Sequence, residues 1–453
     1  MMDAPPRESP SRPQGRSRSA LAGAALLALS LLAVGVVTLS PAAESARLPF
    51  WCFRCGSRPA IDVLLNILMF VPVGAALGLL RVRARWALAT IVLLTAGIEL
   101  LQFAFIAGRF ASARDIIANT IGGVAGWYLA LAWRSIVRPS PRRAASFAVA
   151  LTIAWIATQG FTAWAMTVVL PPGPWWAQIR LRDLGFPAVF RGDVVRLSLG
   201  ITPIVYSDQL EHTEPVREQL IAGAPMRVEV TGVEPTNGPA PILLLATDDV
   251  LSEIAGIVQT HDDAFFRIRT RAAVFGLRNP GVRLTDAFPA SSVRDTITIT
   301  AERANGRYHM VAERAGQRRE RTLAVSPSWA WALLMPIPHY SFGREVRWLT
   351  AVWLFGILGA IGYWCAHATT VVRDARAAGQ PGIAMSRIAA AVRRPAIALI
   401  GIAVIVGLAP IPLLFGVPVA HWSEWIAAIA GAAAGAVIGA RVRERAATAP
   451  TLR

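Results

Sequence analysis

The hydrophobic and polar positions divide the chain into long apolar runs and one large polar stretch. Apolar runs of about 18 residues or more are typical of transmembrane helices. We predict eight such spans, at about 20–40, 62–80, 86–106, 116–133, 144–168, 348–366, 396–415 and 424–440. The polar stretch, 171–345, lies between the fifth and sixth spans, and it is long enough to form one globular domain.

The polar stretch alternates apolar and polar residues, which is typical of half-buried β-strands. The alternation covers Met226–Val233, Pro241–Thr247, Ala264–Phe275 and Asp295–Gly316. The last segment predicts a hairpin, since Asn305-Gly306 interrupts it with residues that favour a tight turn. Many short strands in one domain favour a β-sandwich. The predicted fold class is therefore a multi-pass α-helical membrane protein with eight transmembrane helices and an inserted extracytoplasmic β-sandwich.

The remaining boundaries follow from the same pattern. The N-terminal segment, rich in Pro, Ser and Arg, is expected to be disordered. The last two spans contain the small-residue run GAAAGAVIGA, which lets helices approach closely in lipid. The predicted order is a cytoplasmic tail (1–19), an N-terminal membrane domain (20–135), the fifth span (144–168), the β-sandwich (171–345), the sixth span (348–366), a cytoplasmic linker (367–395), the last two spans (396–440) and a cytoplasmic tail (441–453).

The positions of the charged residues along the chain predict the orientation of the spans. The formal net charge is +17, yet the stretch 171–347 holds 20 Arg against 19 acidic residues. The excess of Arg lies beside alternate ends of the predicted spans, which is the positive-inside pattern and argues against nucleic-acid binding. This pattern predicts a protein of the bacterial inner membrane with both termini in the cytoplasm and the large domain outside.

Polar side chains recur about one helical turn apart in three of the predicted spans. An ionisable side chain inside a span costs at least ~2.5 kcal/mol, so Glu99 must face partners or water. Arg109 and Arg114 are the available cations. We expect one outward-facing, ligand-binding cavity lined by Asp62, Asn66, Glu99, Gln102, Arg109, Asp115 and Asn119.

A structural explanation of these polar residues stays open beside the functional one. An aspartate in the first turn of a helix is favoured by the helix dipole whatever the function. Amides inside spans often serve only as hydrogen bonds between helices. Glu99 is the best candidate for catalysis or ligand binding, because a purely structural hydrogen bond does not need a carboxylate.

The order and spacing of these residues resemble a known family, the VanZ-like membrane proteins. The resemblance covers about 20–135 and implies a link to teicoplanin-type glycopeptide resistance, while it leaves the biochemical activity open. It rests on Asp62, Asn66, Phe70, Pro72 and Gly74, then Glu99 and Gln102, then Arg109, Asp115, Asn119 and Gly122.

The outer domain is similar to concanavalin A-like (laminin G-like) sandwiches. The similarity rests on the order of three segments, PILLLATDD, FFRIRTRAAVFG and DTITITAERANGRYHMVAERAG. The paired-carboxylate signature of glycosidases built on that fold is absent from the sequence, and such hydrolysis needs two carboxylates. We therefore expect a module that binds cell-wall glycan or a partner.

The cysteines and the acidic clusters offer few other sites. Cys52 and Cys55 lie in a predicted outer loop, where an oxidising compartment favours a disulfide, although free or redox-active thiols stay an alternative. Two thiols alone do not complete a metal site, so no metal and no cofactor are expected. Thr260–Asp263 contains two carboxylates that could bind Ca²⁺, but a solvated turn is the simpler interpretation. Cys365 is expected to be an inert packing residue.

Two functional hypotheses follow. In the first, the protein is a binding protein of the cell envelope. It holds a membrane lipid or a lipid-linked cell-wall precursor in the outward-facing cavity, which lies in the outer leaflet. In the second, the same cavity belongs to a membrane-embedded acid/base enzyme or a flippase that acts on a polyprenyl- or lipid-linked substrate. An enzyme needs an acid and a base held in a closed site. The sequence leaves that question open.

Overall fold

The computed structural model of the chain describes residues 14–40, 59–106, 111–178, 188–204, 209–210, 212–247, 253–289, 295–335, 345–369 and 382–448. These residues form two compact units, Met1–Val137 and Arg138–Arg453. The helices are α1 (Gln14–Thr38), α2 (Pro59–Leu79), α3 (Ala84–Phe105), α4 (Ala113–Val137), α5 (Pro141–Ala165), α6 (Thr213–Ile221), α7 (Arg271–Val274), α8 (Ala330–Leu333), α9 (Glu345–Ala368), α10 (Gly382–Leu408), α11 (Pro410–Leu414) and α12 (Trp422–Thr448).

Among the described residues, eight helical stretches are long and apolar enough to cross a membrane. They are Ser19–Thr38, Ala60–Leu79, Ala84–Phe105, Ala113–Val137, Pro141–Ala165, Glu345–Ala368, Pro395–Leu414 and Trp422–Arg445. A separate β-rich region lies between the fifth and the sixth of them. The predicted fold class, a multi-pass helical membrane protein with an inserted β domain, is confirmed.

In the first unit, α2 and α4 pack backbone against backbone. A Cβ atom built on Gly122 would lie 2.0 Å from the carbonyl oxygen of Ile67, and one built on Gly126 would lie 2.0 Å from that of Val71. Both contacts advance along the two helices in the same direction, so the helices are parallel. Small residues allow such close approach. Around them lies an apolar core of Val34, Phe70, Val73, Leu77, Ala87, Ile91 and Ile98.

The second unit contains a helix pair built in the same way. A Cβ atom on Gly435 of α12 would lie 1.8 Å from the carbonyl oxygen of Gly359 of α9, and one on Gly362 would lie 2.0 Å from that of Ala432. Helices α5 and α10 pack around this pair. The buried residues of this core include Trp155, Leu354, Leu358, Ile361, Ala403, Val404, Leu408 and Ala428.

The β-rich region consists of two antiparallel sheets. One sheet has the strand order β1-β5-β6-β7-β8, and the other has the order β11-β10-β9-β4-β2-β3. The strands are β1 (Trp175–Gln178), β2 (Asp193–Leu199), β3 (Thr202–Pro203), β4 (Met226–Thr231), β5 (Pro239–Thr247), β6 (Glu253–Thr260), β7 (Asp263–Ile268), β8 (Gly281–Leu284), β9 (Ile297–Ala304), β10 (Arg307–Arg314) and β11 (Gln317–Ala324).

The two sheets face each other through aromatic side chains. The rings of Phe266 on β7 and Tyr308 on β10 meet edge to face, with 6.1 Å between their centroids. Burial raises the pKa of the Tyr308 hydroxyl, and the charge of Arg303 offsets part of that rise. Burial alone would lower the pKa of Arg267, but the charge and the hydrogen bonds of Glu253 raise it above its ordinary value.

The strand predictions are confirmed at the hairpin and wrong at one segment. Asn305 and Gly306 join β9 to β10 with φ angles of 49° and 70°, as a two-residue turn requires. The segment Ala264–Phe275 is not one strand, since β7 ends at Ile268 and α7 follows. The reason is local, because the side-chain oxygen of Asn279 accepts hydrogen bonds from the backbone N–H and the hydroxyl of Thr270.

The β-rich region is fixed to the helices of its own unit by direct hydrogen bonds. These bonds join it to the end of α5, to the first turns of α9 and to the start of α12, so those helix ends face the β-rich region. They run from Gln159 Nε2 to the Pro327 carbonyl (3.3 Å), from Arg303 Nη2 to the Met166 carbonyl (2.5 Å), from Trp331 Nε1 to Thr350 Oγ1 (3.0 Å) and from Ser326 Oγ to Glu424 Oε2 (2.9 Å).

Candidate functional site

Glu99 is the buried carboxylate of the first unit. It lies in the last two turns of α3, and only 3% of its surface is exposed. Its Oε2 accepts a hydrogen bond from the backbone N–H of Ser112, at 2.7 Å. Ser112 immediately precedes α4, so the bond joins the end of α3 to the start of α4. A hydrogen bond to a charged acceptor is about twice as strong as one between neutral groups.

Asn119 lies on α4 opposite the preceding turn of α3. Its amide nitrogen donates to the hydroxyl of Thr95, at 2.8 Å, and both residues are buried. Among the described residues, the amide oxygen of Asn119 has no hydrogen-bond partner. A buried polar atom without a partner costs about 1–3 kcal/mol. This oxygen is therefore a point at which a water molecule or a ligand donor would be stabilised.

Three charged residues meet where α2 and α4 begin. Arg114 Nη2 lies 3.7 Å from a carboxylate oxygen of Asp62, and Arg114 Nε lies 3.4 Å from one of Asp115. Arg114 is largely buried, whereas Asp62 is the most exposed of the three. An exposed ion pair contributes at most about 1 kcal/mol. The pair with the half-exposed Asp62 therefore adds little to stability, and the arrangement links the first turns of α2 and α4.

Gln102 faces a different helix. Its amide nitrogen donates to the carbonyl oxygen of Thr38, the last residue of α1, at 2.8 Å. The last carbonyl groups of a helix lack partners within that helix. The amide of Gln102 supplies a donor to one of these carbonyl groups and thereby links α3 to α1.

Of the remaining predicted site residues, only Asn66 belongs to the part of the chain that the structure describes. Asn66 is half-buried on α2, one turn after Asp62. Arg109, Cys52 and Cys55 lie outside the described residues. The structure thus brings Glu99 to the start of α4, Asp62 to Arg114 and Asp115, and Asn119 to Thr95. One outward-facing cavity around all seven predicted residues stays a prediction.

The sequence analysis missed two residues of this cluster. Thr95 lies one helical turn before Glu99, so the face that Glu99 and Gln102 share could have revealed it. Ser112 contributes only its backbone N–H, for which a side-chain pattern carries no signal.

A second candidate site lies in the β-rich region. It is a cavity of about 740 Å³ beside the start of β2, and its lining is largely polar. Arg191 and Glu234 form an exposed ion pair there, with 3.8 Å between Nη1 and Oε2. The lining residues are Ala188, Val189, Phe190, Arg191, Gly192, Asp193, Gly232, Glu234, Pro235, Thr236 and Asn237.

In the part of the chain that the structure describes, no group of three or more His, Cys, Asp or Glu side chains could hold a metal ion. The acidic segment Thr260–Asp263 closes the hairpin between β6 and β7, with His261 at a φ of 56°. Asp263 pairs with Arg283 and accepts a hydrogen bond from the backbone N–H of Asp286. Its carboxylate therefore holds the turn together.

The fold and the cluster define a class, a multi-pass membrane protein with a buried polar helix face and a β-rich domain between its fifth and sixth spans. Residues 9–134 match the family model VanZ/LLP1, which covers less than a third of the chain. The resemblance of the N-terminal membrane region to VanZ-like proteins is thus confirmed. No curated protein and no solved structure matches the chain, so the similarity of the β-rich region to concanavalin A-like folds stays a prediction.

Proposed function

We propose that the VanZ-like region binds a lipid-linked or lipophilic ligand of the cell envelope. The proposed site is the buried polar cluster of Thr95, Glu99, Ser112 and Asn119. The proposal includes a role in tolerance to teicoplanin-type glycopeptides, which the VanZ/LLP1 match supports. One observation carries it. Glu99 is a carboxylate buried in a membrane span, and one turn deeper the amide oxygen of Asn119 has no hydrogen-bond partner among the described residues.

The physical argument rests on cost. A carboxylate inside a span is expensive, and its charge makes Glu99 a stronger hydrogen-bond acceptor than a neutral side chain of the same size would be. A ligand with hydroxyl, amide or amine groups would donate to Glu99 and to Asn119. Each hydrogen bond to the charged group would contribute about 1.5–3 kcal/mol, which is roughly a tenfold or larger gain in affinity.

Glu99→Gln tests this proposal, because it keeps the size of the side chain and removes the charge. The purified full chain is titrated with undecaprenol, a polyprenyl probe whose terminal hydroxyl can donate to Glu99, and its melting temperature is followed. A ligand that binds only the folded state raises the melting temperature. We expect the rise in the wild type and at least about tenfold weaker binding in the variant. Cells that carry the variant are expected to become more sensitive to teicoplanin.

Glu424→Gln is the matched control, because Glu424 is a buried carboxylate of the second unit. It should respond to the probe as the wild type does. If Glu99→Gln binds the probe and supports growth on teicoplanin like the wild type, the cluster only holds helices together and the proposal fails.

The cavity beside β2 is the proposed site for cell-wall glycan or a partner. Sugar hydroxyl groups bind to convergent polar side chains, and Asp193 and Asn237 belong to the lining. Replacing both with alanine should reduce the retention of the full chain on purified peptidoglycan. Glu320→Ala, an exposed position on β11, is the control. Equal retention of all three proteins would contradict a glycan site in this cavity.

We also propose that the protein lies in the bacterial inner membrane with both termini in the cytoplasm. The excess of Arg beside alternate span ends supports this orientation. A reporter enzyme that is active only outside the cytoplasm should be active when fused after Pro171 and inactive when fused after Arg376. Activity after Arg376 would reverse the proposed orientation.

A further inference from the structure

The β-rich region exposes large apolar side chains at one end. Ile201, in the turn between β2 and β3, is 97% exposed, and Val274, at the end of α7, is 61% exposed. Ile221, at the end of α6, and Phe275 are exposed as well. We call these four residues the apolar rim.

The register of the six-stranded sheet gives the direction of this end. Leu199, the last residue of β2, pairs with Met226, and Met226 pairs with Ala301 of β9. Strand β9 then leads to the turn at Gly306. A Cβ atom on Gly306 would lie 2.4 Å from Pro418, in the loop between α11 and α12. This end of the sheet therefore rests on the membrane segments of its own unit.

The first half of the apolar rim lies at that same end. Ile201 follows Leu199 by two residues, where β2 turns into β3. Ile221 lies two residues before Gly223, and a Cβ atom on Gly223 would lie 3.0 Å from Ala304. Both isoleucines are therefore near the hairpin tip that contacts the loop between α11 and α12.

The second half lies beside the end of α5. The ring of Phe275 packs against those of Phe161 and Trp164, with centroids 5.7 Å and 5.4 Å apart. The guanidinium group of Arg271 lies 5.3 Å from the Trp164 ring centroid. Aromatic residues at the end of a span are typical of the membrane–water interface, where their apolar rings and polar groups are both accommodated. Helix α7 thus lies at the depth where α5 leaves the apolar part of the bilayer.

We infer that the apolar rim inserts into the head-group layer of the bilayer that the second unit spans. Exposed apolar side chains in water are unfavourable, and the boundary between head groups and acyl chains is the apolar environment nearest to these four residues. Arg271 lies on one side of the rim, and the exposed Arg307 directly follows the hairpin tip. Guanidinium groups pair well with lipid phosphates. The β-rich region therefore lies on the membrane surface and does not project from it.

Photo-crosslinking in phospholipid nanodiscs tests the inference with the full chain. A benzophenone amino acid is introduced at position 201 or 274, and after illumination the lipid adducts are measured by mass spectrometry. Val195 is the matched control, because it is an apolar residue of β2 with 57% exposure. Its neighbour Val194 pairs with Val230, and Val230 pairs with Ile297 at the start of β9. Val195 therefore lies at the end of the sheet opposite to the turn at Gly306.

We expect several-fold more phospholipid adducts at positions 201 and 274 than at position 195. Adducts at the level of position 195, or adducts to a second protein chain in place of lipid, would overturn the inference.

Hydroxyl-radical oxidation of the unmodified protein in the same nanodiscs gives an independent readout. Water-soluble radicals should oxidise Ile201 less than Val195, although Ile201 is the more exposed of the two in the protein alone. Stronger oxidation of Ile201 would contradict its insertion. The measurement needs no variant, so a failure of the benzophenone proteins to fold does not affect it.

Discussion

In both units, two parallel helices pack backbone to backbone through glycines, α2 on α4 in the first and α9 on α12 in the second. The helix that returns between them differs. The first unit places Thr95, Glu99 and Gln102 of α3 in buried positions. In the second unit, the part of α10 whose side chains are described buries Ala403, Val404 and Leu408.

The second unit also has a buried carboxylate, but its partners are of another kind. Glu424, in the first turn of α12, accepts hydrogen bonds from Ser326 Oγ (2.9 Å), Trp329 Nε1 (3.1 Å) and the backbone N–H of His421 (3.3 Å). These donors join the helix to the β-rich region. The comparison teaches that burial alone does not mark a functional carboxylate. Glu424 holds α12 to the β-rich region, whereas Glu99 lies one helical turn from Thr95. The partner of Thr95, Asn119, has an amide oxygen with no hydrogen-bond partner among the described residues.

The largest expected effect on stability comes from replacing the glycines at the helix contact of each unit. Gly435→Ala and Gly122→Ala would each place a Cβ atom within about 2 Å of a backbone oxygen, and backbone cannot move as a side chain can. We expect a loss of about 3 kcal/mol or more, at the upper end of the range for overpacked cores. Thermal unfolding in detergent measures it.

Gly356 of α9 and Gly97 of α3 provide the controls, because among the described residues no atom outside the helix's own backbone lies within 4 Å of a Cβ built there. Their alanine variants should be neutral or stabilised by up to ~1 kcal/mol through helix propensity. If all four variants unfold at the same temperature, the backbone contact is not what holds the pairs together.

A smaller effect separates the two carboxylates. Glu424→Leu would leave donors of Ser326 and Trp329 buried without an acceptor, at a cost of about 1–3 kcal/mol. Glu424→Gln keeps an acceptor and should cost less. Neither variant should change growth on teicoplanin while the protein remains folded. A folded Glu424→Gln protein that loses this phenotype would assign function to the second unit and end the contrast with Glu99.

The smallest effect concerns the hydrogen bond between Thr95 and Asn119. A double-mutant cycle with Thr95→Val and Asn119→Ala isolates it. Hydrogen bonds between membrane helices average about 0.6 kcal/mol, so the coupling energy should be of that order. A coupling near zero would mean that α3 is held to α4 by Glu99 and packing alone, and it would leave Asn119 free to serve a ligand.

Sequence patterns predicted what is local in this molecule. The apolar runs predicted the spans, Asn305-Gly306 predicted the hairpin, and the polar pairs predicted which helix faces are polar. The small-residue run near the C-terminus predicted close packing, but it could not name α9 as the partner, since that contact joins distant parts of the chain. The hydrogen bonds from the backbone N–H groups of Thr270 and Ser112 were not foreseen either, because a main-chain donor leaves no side-chain pattern in the sequence.

The parallel pairing of α2 with α4 constrains the order in which the chain can be assembled during synthesis. Two parallel spans cannot be neighbours along the chain, because α3 must first cross back. Helix α2 therefore enters the bilayer with the face that later contacts α4 uncovered, and it keeps that face uncovered until α4 has been made. In the same way, the face of α9 that contacts α12 stays uncovered until α12 has been made. Each unit thus closes only when its last span arrives, and a ribosome that stalls before that point leaves an exposed groove for the insertion machinery or a membrane protease to bind.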